Sequence, residues 1–506
     1  MQQTVRPSAS LIAGVAIILI FSAAGFARNG SFQEQNGSNG SNADRTATKT
    51  KRGSKRRKKN NSNTNFPYVI LSAPTQSSPA TATAPTTPVI MESVDVAPTT
   101  PVETPKNSSR ATKVIGVHTL PATVPGPSGP SPSGLIISEF RLRGPSGMND
   151  EFIEIYNNSG ADHTVAGGGT GYAIAASDGA ARCVIPNGTV IPNRGHYLCV
   201  NSLAYSLASY PAGNGTTATG DATYTTDIPD NAGIAIFNTS IAANFNLANR
   251  MDAVGSTSEA NTLYKEGTGY PALTPFSIDY SFYRDTCGKG GSITTFGQCT
   301  ISTPKDTNNN AADFIFVDTN GTSAGAGQRL GAPGPENLSS PIQRNPSFAV
   351  NLLDTCVAAA SPPNRVRDFT SDPPNNSTFG TLDIRRTVTN NTGGNVTRLR
   401  WRVIDLTTFP APSGIADLRP RTSTAVVVTV DRPPCGSGTS NITVQGTTLE
   451  QPPSQPNGGG FNSSMSSGTV TLGTPLANGA SLDVRFLLGI QQTGSFKFYI
   501  NVESLP

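Results

Sequence analysis

From Leu135 to the C-terminus, apolar residues recur with a period of two in short runs, and no long 3.6-residue period interrupts them. Leu135-Ile-Ile-Ser-Glu-Phe140 reads as a strand, the Gly144-Pro-Ser-Gly147 segment turns the chain, and Phe152-Ile-Glu-Ile-Tyr156 reads as the next strand. Further strands are expected at 172–175, 181–185, 196–200 and 233–237, with one short helix near 202–210. A chain patterned in this way buries its apolar faces by packing sheet on sheet, so the expected class is all-β, an antiparallel sandwich or barrel. Composition agrees: 51 Gly and 40 Pro supply turns, and only 14% of residues are charged.

Charge is divided unevenly. Residues 1–66 hold 11 Lys and Arg against Glu34 and Asp44, which leaves the rest of the chain mildly acidic despite an overall net charge of +4. The basic run from Lys49 to Lys59 is a candidate for attracting a polyanion, nucleic acid or an anionic surface; the plainer reading is a solvated, disordered charge cluster. Residues 1–27 carry Arg6, an apolar stretch from Leu11 to Phe21 and small residues through Ala27, the pattern of a signal peptide, with an uncleaved membrane anchor as the alternative. Residues 28–66 offer no apolar face and residues 67–133 only the short break Tyr68-Val-Ile-Leu71, so 28–133 is expected to form a disordered basic and Pro/Thr/Ser-rich stalk.

Six cysteines, Cys183, Cys199, Cys287, Cys299, Cys356 and Cys435, fit an oxidising compartment. Local pairing is expected for Cys183 with Cys199 and for Cys287 with Cys299, and Cys356 with Cys435 completes the set with nothing local to juxtapose them. No Cys-x-x-Cys occurs, and His118, His163 and His196 do not cluster with cysteines in sequence.

Several segments, taken in order, resemble the lamin-tail domain family in its exported bacterial form. Leu135-Ile-Ile-Ser-Glu-Phe and Asn149-Asp-Glu-Phe-Ile-Glu-Ile-Tyr-Asn are similar to its opening strands. Ile185-Pro-Asn-Gly-Thr-Val-Ile-Pro with Arg194-Gly-His-Tyr-Leu is similar to its central hairpin, and Ile228-Pro-Asp-Asn-Ala-Gly-Ile-Ala-Ile with Met251-Asp-Ala-Val-Gly to its later strands. Ser281-Phe-Tyr-Arg, Asp306-Thr-Asn-Asn-Asn-Ala-Ala-Asp-Phe and Gly331-Ala-Pro-Gly-Pro-Glu-Asn-Leu resemble its closing and exit segments. Gly171-Tyr172 stands where a Gly-Trp pair is frequent in the family. The resemblance covers about residues 134–340. It implies an immunoglobulin-like β-sandwich and brings no catalytic residues. Family members occur in nuclear intermediate filaments and in exported bacterial proteins, sometimes beside nucleases, and no nuclease-like segment is present here.

Residues 134–345 are therefore assigned to a lamin-tail-like sandwich and residues 346–506 to a second β-sandwich. In the latter, Leu399, Trp401 and Val403 alternate with Arg398, Arg400 and Arg402, and Phe496, Phe498, Ile500 and Val502 alternate likewise. The apolar set is assigned to the core. The arginine stripe is a candidate anion-binding face, weighed against a solvated strand face.

Glu139, Glu151 and Glu154 are read as carboxylates on solvent-facing strand positions rather than as an acid–base set, and His196 as a packing residue. Asp306, Asn308, Asn310 and Asp313 are spaced as calcium ligands are, but Val317 and Ala311 occupy positions where an EF-hand needs Glu and Gly, so they are read as turn formers. No catalytic residues, metal ligands or cofactor are assigned. The expected protein is non-catalytic, secreted or held at the cell surface, with a binding, adhesive or structural role toward a surface ligand or protein. A polyanion binder acting through the basic tail is the alternative.

Overall fold

Period-two alternation lets each strand pack one set of side chains inward, and here it builds four larger sheets, with three two-stranded ones beside them, and the four stack one on the next. The computed structural model describes residues 94–95, 134–211, 215–274, 277–286, 304–321 and 329–506. The N-terminal signal or anchor, the stalk apart from residues 94–95, the basic run from Lys49 to Lys59, and Cys287 with Cys299 lie outside the described residues. The described body is all-β and belongs to one compact unit, Thr81–Pro506. Among the described residues no helix is long and apolar enough to cross a membrane.

A six-stranded sheet runs in the order Phe314–Asp318, Tyr280–Arg284, Leu135–Arg141, Phe152–Asn157, His196–Asn201, Ala222–Tyr224. Its pairs are antiparallel except the last, which is parallel. A four-stranded sheet, Arg250–Val254, Ile234–Phe237, Tyr172–Ala176, Ala181–Ile185, lies against it. Between them Leu135, Ile137, Phe140, Ile153 and Ile155 meet Ile174, Ile185, Ile234, Ile236 and Val254 in one apolar core. A bulge between Ile137 and Glu139 shifts the register, so Phe140 still points inward while Glu139 turns to the opposite face. Tyr172 packs into this core. Gly171 before it adopts φ +84°, and a Cβ there would collide with the Ile185 carbonyl, so both conformation and space require glycine.

The second pair of sheets follows the same rule. One sheet runs Ile342–Gln343, Phe498–Leu505, Arg398–Leu406, Ser464–Ser466, Thr448–Leu449. The other runs Phe348–Leu352, Thr381–Asn390, Ser481–Gln492, Asp417–Arg421, with Arg365–Asp368 also paired to Thr381–Asn390. Leu399, Trp401, Val403, Ile500 and Val502 face Leu382, Ile384, Val484, Phe486 and Leu488 across a second apolar core. Trp401 is fully buried, packs edge-on against Phe486 at 5.3 Å, and donates its indole N–H to Ser467 Oγ at 2.8 Å. The alternation assigned to the core from sequence is thus the alternation that is buried.

Residues 202–210 form turns rather than the expected helix. Side chains divert the backbone donors: Asn201 Oδ1 accepts from Leu203 N at 3.1 Å and Asp150 Oδ1 accepts from Ser206 N at 2.9 Å, in place of an i to i−4 ladder.

Candidate functional site

The outer face of the six-stranded sheet is covered by the outer face of the Arg398–Leu406 sheet. The expectation of a solvated face is therefore corrected for both. Glu139, Glu151 and Glu154 are buried, and so are Arg400 and Arg402. Antiparallel sheets commonly keep one face wet; here each sheet uses that face to pack on the other. Arg398 alone of the stripe is half-buried, and its Nη1 donates to the Thr397 carbonyl at 2.9 Å, away from the cluster.

Strand register sets the centre of the seam. Arg400 lies directly opposite Glu503, and Arg402 opposite Asn501. Glu503 consequently bridges both arginines: Oε2 accepts from Arg400 Nε at 2.6 Å and Oε1 from Arg402 Nε at 2.9 Å. Arg402 Nη1 also donates to Asn462 Oδ1 at 2.7 Å and to the Asn462 carbonyl at 3.1 Å. The segment that joins the two sheet pairs enters between them and brings Glu336, which pairs with Arg400 and lies 3.2 Å from Arg402 Nη2. Gly334 permits this approach, because a Cβ there would strike the Arg402 guanidinium.

The same segment is tied to the six-stranded sheet. Gly334 N donates to Glu139 Oε1 at 3.0 Å and Glu336 N to Glu154 Oε2 at 2.7 Å. Ser138, the bulge residue, donates to Glu154 Oε1 at 2.5 Å. His196, opposite Tyr156 in register, places Nε2 3.3 Å from Glu336 Oε2 and 3.8 Å from Glu154 Oε1. Glu450 completes the cluster, accepting from Ser464 Oγ at 2.6 Å with Arg400 Nη1 3.9 Å away.

Five carboxyl groups (Glu139, Glu154, Glu336, Glu450, Glu503) thus surround two guanidinium groups in a buried interface. Burial raises the Glu139 pKa, and raises that of Glu154 well above the carboxyl range with the help of the Glu139 charge. Burial pushes Glu450 up to about 7, against the pull of Arg400 and Ser464. His196 is held well below its ordinary value by burial, and then by the nearby arginine charges, so its imidazole is neutral. Burial opposes the charge of Arg402, but Glu503 and the other acids around it raise its pKa.

A cavity of about 60 Å³ remains in the seam, lined among others by Glu139, Glu154, His196, Glu336, Arg402 and Glu503. A groove of about 460 Å³ opens beside Glu450, where Pro211, Thr448, Leu449, Gln451 and Ser466 line it.

The other expected site residues fall elsewhere. Cys183 and Cys199 form a disulfide that ties the four-stranded sheet to the six-stranded sheet through the first core. Cys356 and Cys435 form a second, fastening the segment after Phe348–Leu352 to the turn of the Val426–Val430 and Ser440–Val444 hairpin. Asp313 accepts from Thr307 N and Thr307 Oγ1 at 2.9 and 2.7 Å, and Asn310 holds the backbone at Gly255, Glu266 and Ala253. These are turn and staple roles. Arg284, fully buried, sits among Asp252, Asp306 and Asp313 as their counter-charge.

Sequence reasoning missed Glu336, Glu450, Glu503, Asn462 and the place of His196. The available signal was the alternation of Asn501 and Glu503 with Ile500 and Val502, complementary in charge and period to the arginine stripe.

No protein-family model matches the chain, and no curated protein matches it. Among solved structures, the chain is similar to a DUF4876 family protein from Bacteroides thetaiotaomicron, with 15% identity over 36% of this chain and 70% of that one and a TM-score of 0.23.

Proposed function

We propose that the chain is a non-catalytic extracytoplasmic protein built on a lamin-tail-like sandwich, with a binding, adhesive or structural role. The observation that carries this reading is the seam. The ionisable groups that converge in the body pair with one another around a cavity of about 60 Å³, below the ~300–1,000 Å³ of small-molecule sites, and of them only Glu450 borders the larger groove of about 460 Å³. A closed charge cluster between two sheets serves to fix their relative placement. The order of motifs from Leu135 to Leu338 supports the lamin-tail reading, and two disulfides suit an oxidising compartment.

Fractionation of the producing cell with sequencing of the mature N-terminus tests it. The expected product lies outside the cytoplasm and begins between residues 25 and 28. A soluble cytosolic product that retains Met1 would overturn the export reading, and turnover of a substrate dependent on Glu154 or His196 would overturn the non-catalytic one. The second reading, polyanion binding, is favoured by the basic run from Lys49 to Lys59, since Arg400 and Arg402 already face internal carboxylates. It predicts salt-sensitive capture on heparin that is lost when residues 45–60 are deleted.

A further inference from the structure

We propose that Glu154, His196 and Glu336 hold a divalent transition-metal ion that pins the six-stranded sheet to the segment joining the two sheet pairs. One donor atom from each of the three lies within 4.8 Å of the others, and all three residues are buried. At metal–ligand distances of about 2.0–2.2 Å, a tetrahedral site has donor-to-donor edges of roughly 3.3–3.6 Å. The two separations from His196 Nε2, 3.3 Å to Glu336 Oε2 and 3.8 Å to Glu154 Oε1, are close to that edge.

Three further observations point to a ligand. The His196 side chain is more than nine-tenths buried, lines the cavity, and presents Nε2 to both carboxylates. Each carboxylate is already held through its other oxygen, Glu154 Oε2 by the Glu336 N–H and Glu336 Oε1 by Arg400. Outer partners of this kind are what fix metal-binding carboxylates in place. Finally, five carboxyl groups face two guanidinium groups, and a dication between Glu154 and Glu336 would balance acids that otherwise hold protons. One nitrogen and two oxygen donors suit zinc or manganese better than calcium or magnesium, which take oxygen alone. The cavity of about 60 Å³ has room for the ion and a water as fourth ligand, since a water needs only ~10–15 Å³.

The full chain, purified without chelator and dialysed, should retain close to one zinc or manganese per chain by elemental mass spectrometry. Stripping with a chelator should lower the melting temperature, and adding back Zn²⁺ or Mn²⁺, but not Mg²⁺, should restore it. Co²⁺ loaded in their place should give the visible absorption of a four-coordinate nitrogen–oxygen site. His196→Ala should weaken Zn²⁺ binding by more than the ~10–100-fold that loss of an outer partner costs. Undiminished binding in folded His196→Ala would overturn the assignment. Should that variant not fold, the wild-type protein decides: failure to take up either Zn²⁺ or Mn²⁺ at millimolar concentration, with no change in melting temperature, would overturn the proposal and leave shared protons to balance the acids.

Discussion

Replacing Arg402 with Met keeps a long side chain in the seam but removes the guanidinium that Glu503, Asn462 and Glu336 share. Glu503 keeps Arg400 through its other oxygen, whereas Asn462 Oδ1 and one side of Glu336 lose a buried donor. Breaking a buried ion pair from one side costs about 3–5 kcal/mol. The retained Arg400 contact puts the expected loss at the lower end, roughly 3 kcal/mol. Urea unfolding of the full chain, with disulfides intact, measures it as a fall in midpoint at constant slope. The partner change Glu503→Gln, alone and combined with Arg402→Met, closes a double-mutant cycle. The pair should couple by about 0.5–3 kcal/mol, because once one charge is gone the other has less to lose. A loss below about 0.5 kcal/mol for Arg402→Met, the size expected of an exposed position, with no coupling to Glu503, would refute the placement of this arginine in a closed seam.

On the opposite face of the same strand, Trp401→Ala should cost about 3–5 kcal/mol by emptying the space beside Phe486, read as a lowered denaturation midpoint; a neutral change would reverse the strand's orientation. Glu151 gives a pH signature: burial pushes its pKa from 4.5 up to about 8, despite hydrogen bonds donated by Asn201 and Ile228 N. The folded chain then binds this proton more tightly than the unfolded chain, so the contribution of Glu151 to stability is fully present below about pH 4.5 and falls as pH rises towards 8, by at most about 1.4 kcal/mol per unit for one proton. Glu151→Gln should flatten that slope in unfolding curves taken from pH 5 to 8, and an unchanged slope would remove Glu151 from the account.

The alternation of Leu399, Trp401 and Val403 announced a buried face, and the strands from Leu135 to Tyr156 were legible for the same reason: period two states which residues share a side. It does not state what lies against the other side. In an isolated sheet Arg400, Arg402, Glu139 and Glu154 would face solvent or an outside ligand, and only the stacking of one pair of sheets on the other encloses them. The bulge at Ser138 was equally invisible, since one extra residue exchanges the faces of Glu139 and Phe140 without altering composition. Glu336 reaches the seam through the course of a connecting segment, and His196 through its register with Tyr156, both long-range facts. The two disulfides were within reach for different reasons. Cys183 and Cys199 bracket a short loop, whereas Cys356 and Cys435 are joined only by the fold.

Differential scanning calorimetry of the full chain tests most directly whether the buried charge seam makes one body of the two pairs of sheets. A single transition is expected, with agreeing calorimetric and van't Hoff enthalpies, shifted as a whole to lower temperature by Arg402→Met. Two separate transitions in the wild-type protein, neither moved by Arg402→Met, would contradict it.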